Sequence, residues 1–294
     1  MKFTIGFSPC PNDTFIFDAL VNKKIDTGDL EFEVVLEDVE TLNKNALAGT
    51  LDFTKLSYGV LPLILGKYIL LNSGSALGTG VGPLLIAQDD IDILENNCQV
   101  AVPGEYTTAH LLFGLAFPNV TNKIYLRYDE IENFVLSSGK NKAGVIIHEN
   151  RFTYEDKGLK KILDLGEYWQ KETGSAIPLG GIVAKRSLSP KTIHKVDELI
   201  KKSIEYSYKN YPELSSFVKE NAQEMEESIM RKHIDLYVNK YSTDLGIEGK
   251  KSVKTLLDVF DKLHPFKDSA LNSSYTPLNI FFSQNHDPLL VQDK

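Results

Sequence analysis

The chain has 294 residues, 42% hydrophobic and 24% charged, with 20 Gly and 12 Pro. That composition excludes a disordered or fibrous chain, and at about 100–200 residues per domain the length fits two domains. Lys and Arg number 32 against 40 Asp and Glu, a formal charge of −8, so the basic excess that a nucleic-acid binder uses on phosphates is missing. Apolar runs such as residues 59–65 stop far short of the roughly 20 residues of a membrane helix. The opening MKFTIGFSPCPNDTF lacks the longer apolar core of a secretory leader. Two cysteines, Cys10 and Cys98, are too few for a disulfide framework and fit a reducing compartment. The expectation is a cytoplasmic protein with no nucleic-acid or membrane partner.

In chain order, residues 2–8 read as a buried strand and 12–25 as a helix with Asn12 as a polar cap. Residues 30–38 alternate as a strand, 39–49 form a helix closed by Gly49, and 53–59 form a short strand. A second block follows, with strands at 98–104, 123–129 and 143–149 and helices at 107–117 and 130–140, the latter ending in Gly139. Strand–helix alternation implies an α/β fold with mixed, mostly parallel sheets. Long amphipathic helices run through 189–210, 212–223, 226–241 and 247–263, and the tail after Pro265 reads as irregular. The clusters Lys160-Lys161, Lys201-Lys202 and Lys250-Lys251 alternate with acids and read as solvated helix faces.

Residues 80–88 and 177–186 are similar Gly/Pro-punctuated apolar strands. Read as a two-strand hinge, they make residues 89–179 a smaller inserted lobe and residues 1–88 with 180–294 a larger one, leaving a cleft for a ligand. Read otherwise, they are two unrelated core strands.

In α/β sheets, ligands sit at the carboxyl ends of strands, where helix starts present N–H groups. Four loops fit. At residues 8–15, Ser8 ends a strand and Asn12, Asp13 and Thr14 open a helix, as ligand contacts or simply as caps. Lys55 and Ser57 share one side of a strand and could seat a carboxylate. Thr107 and Thr108 begin a helix; one hydroxyl caps it and the other is left for an anionic oxygen. His148 follows an apolar strand, and imidazole suits proton transfer near neutral pH. Its position, more than its type, raises it above His110, His194, His233, His264 and His286, which lie in helices or the tail.

Gly78, Gly80 and Gly82 precede an apolar strand, not a helix, so the dinucleotide fingerprint is not met, and phosphate-loop, nucleophile-elbow and zinc-helix motifs are missing. Cys10 has no sequence cue for an activating partner and reads as a packed thiol. No cofactor and no metal are expected.

The segments GFSPCPNDTFIFDAL at 6–20, LEDVETLN at 36–43, TKLSYG at 54–59, SGSALGTGVGPLL at 73–85, VAVPG at 100–104, TTA at 107–109 and IIHENRFTY at 146–154 resemble the 1,4-dihydroxy-6-naphthoate synthases of the futalosine route to menaquinone. The resemblance covers roughly the first 185 residues closely. It implies a two-lobed, periplasmic-binding-protein-like (type II) fold and a lyase that converts cyclic dehypoxanthinylfutalosine to 1,4-dihydroxy-6-naphthoate. It places the proton acceptor on His148 and substrate contacts on Lys55, Leu56, Ser57, Thr107 and Thr108. Two alternatives stand beside it: a cytoplasmic binding protein for a small carboxylate without catalysis, and the related chorismate dehydratase.

Overall fold

The expected opening alternation forms as β1 (Lys2–Phe7), α1 (Pro11–Val21), β2 (Glu31–Leu36), α2 (Val39–Ala48) and β3 (Phe53–Ser57). The structure, a computed structural model, describes residues 1–95, 97–139, 141–223, 226–264 and 280–282. Cys10, not Asn12, is the N-cap of α1, with Pro11 first in the helix, where its missing N–H costs nothing and its fixed φ suits the turn. The helix stops before the expected residue 25, and Lys23 has left helical space at φ 55°. In α2, Asp38 accepts from Glu40 N and Thr41 N, and Gly49 closes the helix at φ 77°, as its capping pattern implied.

A 3-10 turn at Tyr58–Val60 leads through α3 (Leu61–Ile64) to β4 (Tyr68–Leu70) and β5 (Ala76–Gly78). The next block holds β6 (Leu84–Ala87), β7 (Gln99–Val102), α4 (Thr108–Ala116), β8 (Lys123–Tyr125), α5 (Ile131–Leu136) and β9 (Lys142–Ile146). α5 ends at Ser137, ahead of the expected Gly139. Then come β10 (Lys160–Asp164), α6 (Leu165–Thr173) and β11 (Ile177–Lys185). Lys160 and Lys161 therefore lie on a strand, not on a helix face. The helical remainder is α7 (Pro190–Asn210), α8 (Ser216–Asn221), α9 (Glu227–Tyr237), α10 (Lys240–Thr243) and α11 (Gly246–Leu263).

The strands make two sheets. One has the order β2-β1-β3-β11-β4 with β5 also on β11; the other runs β10-β6-β9-β7-β8. Both are mixed. β1 pairs in parallel with β2 and β3, and β7 with β8 and β9. β11 runs antiparallel to β3, β4 and β5, as β6 does to β9 and β10. The antiparallel share exceeds what simple alternation implies, because β6 and β11 each enter their sheet from the other one rather than from a preceding strand of the same sheet. β6 already belongs to the second sheet, so a division after residue 88 would cut that sheet; the chain passes between sheets in residues 79–83 and 174–176.

Three apolar clusters hold these layers. One packs Phe7, Phe17, Phe53 and Ile200 between the first sheet and α1 and α7. A second backs the second sheet with Ile86, Ile131 and Ile146. The largest runs from Leu56 and Tyr58 to Val102, Val145 and Trp169 and so spans both sheets. Of the tail, only Ile280–Phe282 are described: Phe281 bridges Leu70, adding a backbone pair to the edge of β4. The rest of the tail, including His286, lies outside the described residues.

Candidate active site

A cleft with about 700 Å³ of space, counting its open mouth, is lined from both sheets. Ser8, Asn12 and Asp13 reach it from the β1–α1 junction, Lys55, Leu56 and Ser57 from β3. Thr107, Thr108 and Ala109 border it at the start of α4, and His148 just after β9. The four loops singled out by their places at strand ends thus meet at one cavity.

Asp13 organises the first wall. Its carboxylate accepts from the Ser8 hydroxyl at 2.7 Å and from Asn12 Nδ2 at 2.8 Å, and stands 3.2 Å from Lys55 Nζ. Lys55 Nζ also donates to the Gly74 carbonyl at 2.6 Å. The ammonium is buried and already paired, so it is not the unengaged cation a carboxylate seat suggests; two of its three donors are taken. Ser57 is held by Asn43, whose Oδ1 accepts from Ser57 N at 2.9 Å and whose Nδ2 donates to Ser57 Oγ at 3.3 Å. The Ser57 O–H remains as a donor. Leu56 alternates to the other face of β3 and joins the largest apolar cluster.

Neither threonine hydroxyl is left over. Thr107 caps α4, accepting from His110 N at 3.2 Å and donating to Gly104 O at 3.0 Å. Thr108 Oγ1 donates to Leu179 O at 2.8 Å and accepts from Gly59 N at 3.0 Å, tying α4 to the first sheet. The backbone approach is close: a Cβ on Gly59 would stand 2.6 Å from the Thr107 carbonyl oxygen. Glu40 makes a second tie, its carboxylate accepting from the N–H groups of Glu105 and Tyr106 at 3.1 Å each. What α4 can offer an anion is the pair of N–H groups on Thr108 and Ala109, the first of the helix, which have no acceptor within it.

His148 opens a 3-10 turn at φ 57°, a left-handed backbone that a non-glycine residue holds only at a cost of about 1–3 kcal/mol. Its half-buried ring lies between Tyr128, with centroids 4.9 Å apart, and His233, at 5.8 Å and nearly parallel. Burial pushes its pKa down, partly opposed by Glu149, Asp13 and Asp38, so the ring is neutral and able to accept a proton. His233, passed over as a helical residue, lines the same cleft from α9 with no exposed surface. Its Nε2 meets Asn12 Oδ1 at 3.0 Å, and burial with the neighbouring His148 pushes its pKa well down. The spacing of Met230, His233, Ile234 and Tyr237, all buried on one helix face, is the signal that would have found it.

Cys10 Sγ, one His148 nitrogen and one Glu149 oxygen lie within 4.8 Å of one another. Burial pushes the Cys10 thiol well up. We read the group as an acid–base cluster. Cys10 itself is a packed thiol, as its sequence context implied.

A family model described as menaquinone biosynthesis matches residues 3–262. The 1,4-dihydroxy-6-naphthoate synthase of Thermus thermophilus is 44% identical over 252 residues, covering 86% of this chain and 91% of that protein. Its counterpart from Streptomyces coelicolor is 40% identical over 259 residues, covering 86% and 90%. Among solved structures, protein AF1704 from Archaeoglobus fulgidus superposes with a TM-score of 0.83 at 31% identity, covering 89% of this chain and 97% of its own. The aliphatic sulphonate binding protein SsuA of Escherichia coli matches at a TM-score of 0.61 and 10% identity, over 89% and 87%. Its likeness fixes the fold alone, the two-lobed architecture of the periplasmic binding proteins. On the extent of the family match and both close relatives, the chain belongs to the menaquinone-biosynthesis family that contains the 1,4-dihydroxy-6-naphthoate synthases.

Proposed function

We propose that this protein is a carbon–carbon lyase that converts cyclic dehypoxanthinylfutalosine to 1,4-dihydroxy-6-naphthoate. The observation that carries the reading is the shared cleft: a neutral imidazole, His148, borders the same cavity as Lys55, Ser57 and the start of α4. The substrate carboxylate sits against the N–H groups of Thr108 and Ala109, the Ser57 hydroxyl and the remaining Lys55 donor, with Leu56 packed behind. Thr107 and Thr108 act by fixing the helix start rather than through spare hydroxyls. His148 removes a proton from the spiro-ring portion, and the electron pair feeds the new aromatic ring as a carbon–carbon bond breaks. Aromatisation supplies driving force, so positioning and one base suffice, the base being worth about 10²–10⁴-fold.

The two sheets define lobes that meet at this cleft, with the chain crossing in residues 79–83 and 174–176. Closure of the lobes excludes water and brings Lys55 and His148 onto one molecule. Incubation with the cyclic compound tests the activity: naphthoate absorbance appears with the intact protein. Binding without absorbance change identifies a carboxylate-binding protein instead, and turnover of chorismate identifies the dehydratase.

A further inference from the structure

Two buried acceptors beside His148 have no donor. Glu149 Oε2 and His233 Nδ1 face each other at 3.6 Å, and no hydrogen bond reaches either atom among the described residues. Buried polar atoms are nearly always satisfied, so an adjacent pair left open calls for a functional account. The orientation of His233 is not accidental. Asn12 Nδ2 donates to Asp13, which turns Asn12 Oδ1 toward His233 and makes Nε2 the protonated nitrogen. Nδ1 is then a bare acceptor, aimed at a carboxylate oxygen. One proton placed between them would satisfy both.

We propose that the His233–Glu149 pair is the acceptor that takes over the proton His148 removes from substrate. This rests on the role of His148 given above. The Glu149 carboxylate lies within 4.8 Å of a His148 ring nitrogen, and the His148 and His233 rings are nearly parallel with centroids 5.8 Å apart. The electron pair of the broken C–H bond stays with the substrate; the proton passes to His148 and then to Glu149 Oε2, whose O–H donates to the neutral His233 Nδ1. It leaves to water when the cleft opens, and the departing fragment takes a proton from water, so none is gained or lost. The other titratable groups facing the cluster are Cys10, Asp13, Asp38, Tyr128, Arg151 and Tyr237. Of the carboxylates, Asp13 is already engaged by Lys55, Ser8 and Asn12, and Asp38 caps α2.

The test is rapid-mixing kinetics on the whole protein with two variants, Glu149→Gln, which keeps the shape, and His233→Phe, which keeps the ring stack. The expected result is a first turnover within about threefold of the parent, then a steady state slower by about tenfold or more, with one product per site in the burst and KM little changed. Equal loss in first and later turnovers assigns the pair a structural role and overturns the proposal, as does a parental steady state. If His233→Phe does not fold, Glu149→Gln carries the test alone. Failure of the parent to convert the cyclic compound strikes the lyase reading instead, and is read from the same experiment before any variant is compared.

Discussion

Asp13 and His148 both border the cleft. Burial holds His148 below the ordinary imidazole value, about 6.5. A base with a lowered pKa stays unprotonated further into acid, so the acid limb of the kcat/KM profile falls below about pH 6.5. A limb centred above that value contradicts the assignment. Asp13 and Lys55 are both nearly inaccessible and 3.2 Å apart. Removing one member of such a pair leaves a buried charge uncompensated, so Asp13→Ala destabilises the protein by about 3–5 kcal/mol, read from urea denaturation. An unchanged midpoint would show that Lys55 finds water at no cost. These residue roles were only partly legible. His148, Lys55 and Ser57 sit at strand ends, where local pattern points to a site; Asp13 acts through partners from β3, and that pairing has no signature in its own neighbourhood.

At the scale of elements, β1 to β3 and the first two helices were readable from periodicity; Gly49 closes α2 as its pattern implies, whereas α1 is capped by Cys10 and not by Asn12. β4 and β5, three residues each, are too short to show a period. Lys160 and Lys161 disguise β10, a strand whose identity comes from pairing with β6 and not from its composition. His233 was missed because α9 alternates charged and apolar residues like any surface helix, and only its packing against the cleft turns its buried stripe into a site wall. The same non-local logic governs Gly59. Its missing Cβ lets the start of α4 approach the first sheet, and the atoms it would strike are backbone on Thr107 and Thr108. Gly59→Ala therefore displaces α4, costing about 1–3 kcal/mol and raising KM through the loosened N–H pair. Parental stability and KM in that variant would show that the contact is not tight.

Across the whole molecule, the two-sheet arrangement was legible from alternation and resemblance, whereas the crossing points were not, since β6 and β11 read alike and their sheet partners lie far away in sequence. The net charge of −8 opposes the approach of an anionic substrate, which local donors then hold. Raising ionic strength from dilute buffer to about 0.15 M shortens the Debye length to about 8 Å, so kcat/KM for the carboxylate rises with salt. A fall would mean that the local field at the cleft is positive enough to steer the substrate in.

The central claim is that His148 is the base and the walls around it bind. His148→Ala decides it most directly, with substrate affinity measured by calorimetry and naphthoate formation by absorbance. The account predicts affinity close to that of the parent and turnover lower by about 10²–10⁴-fold. Near-normal turnover in that variant would contradict it.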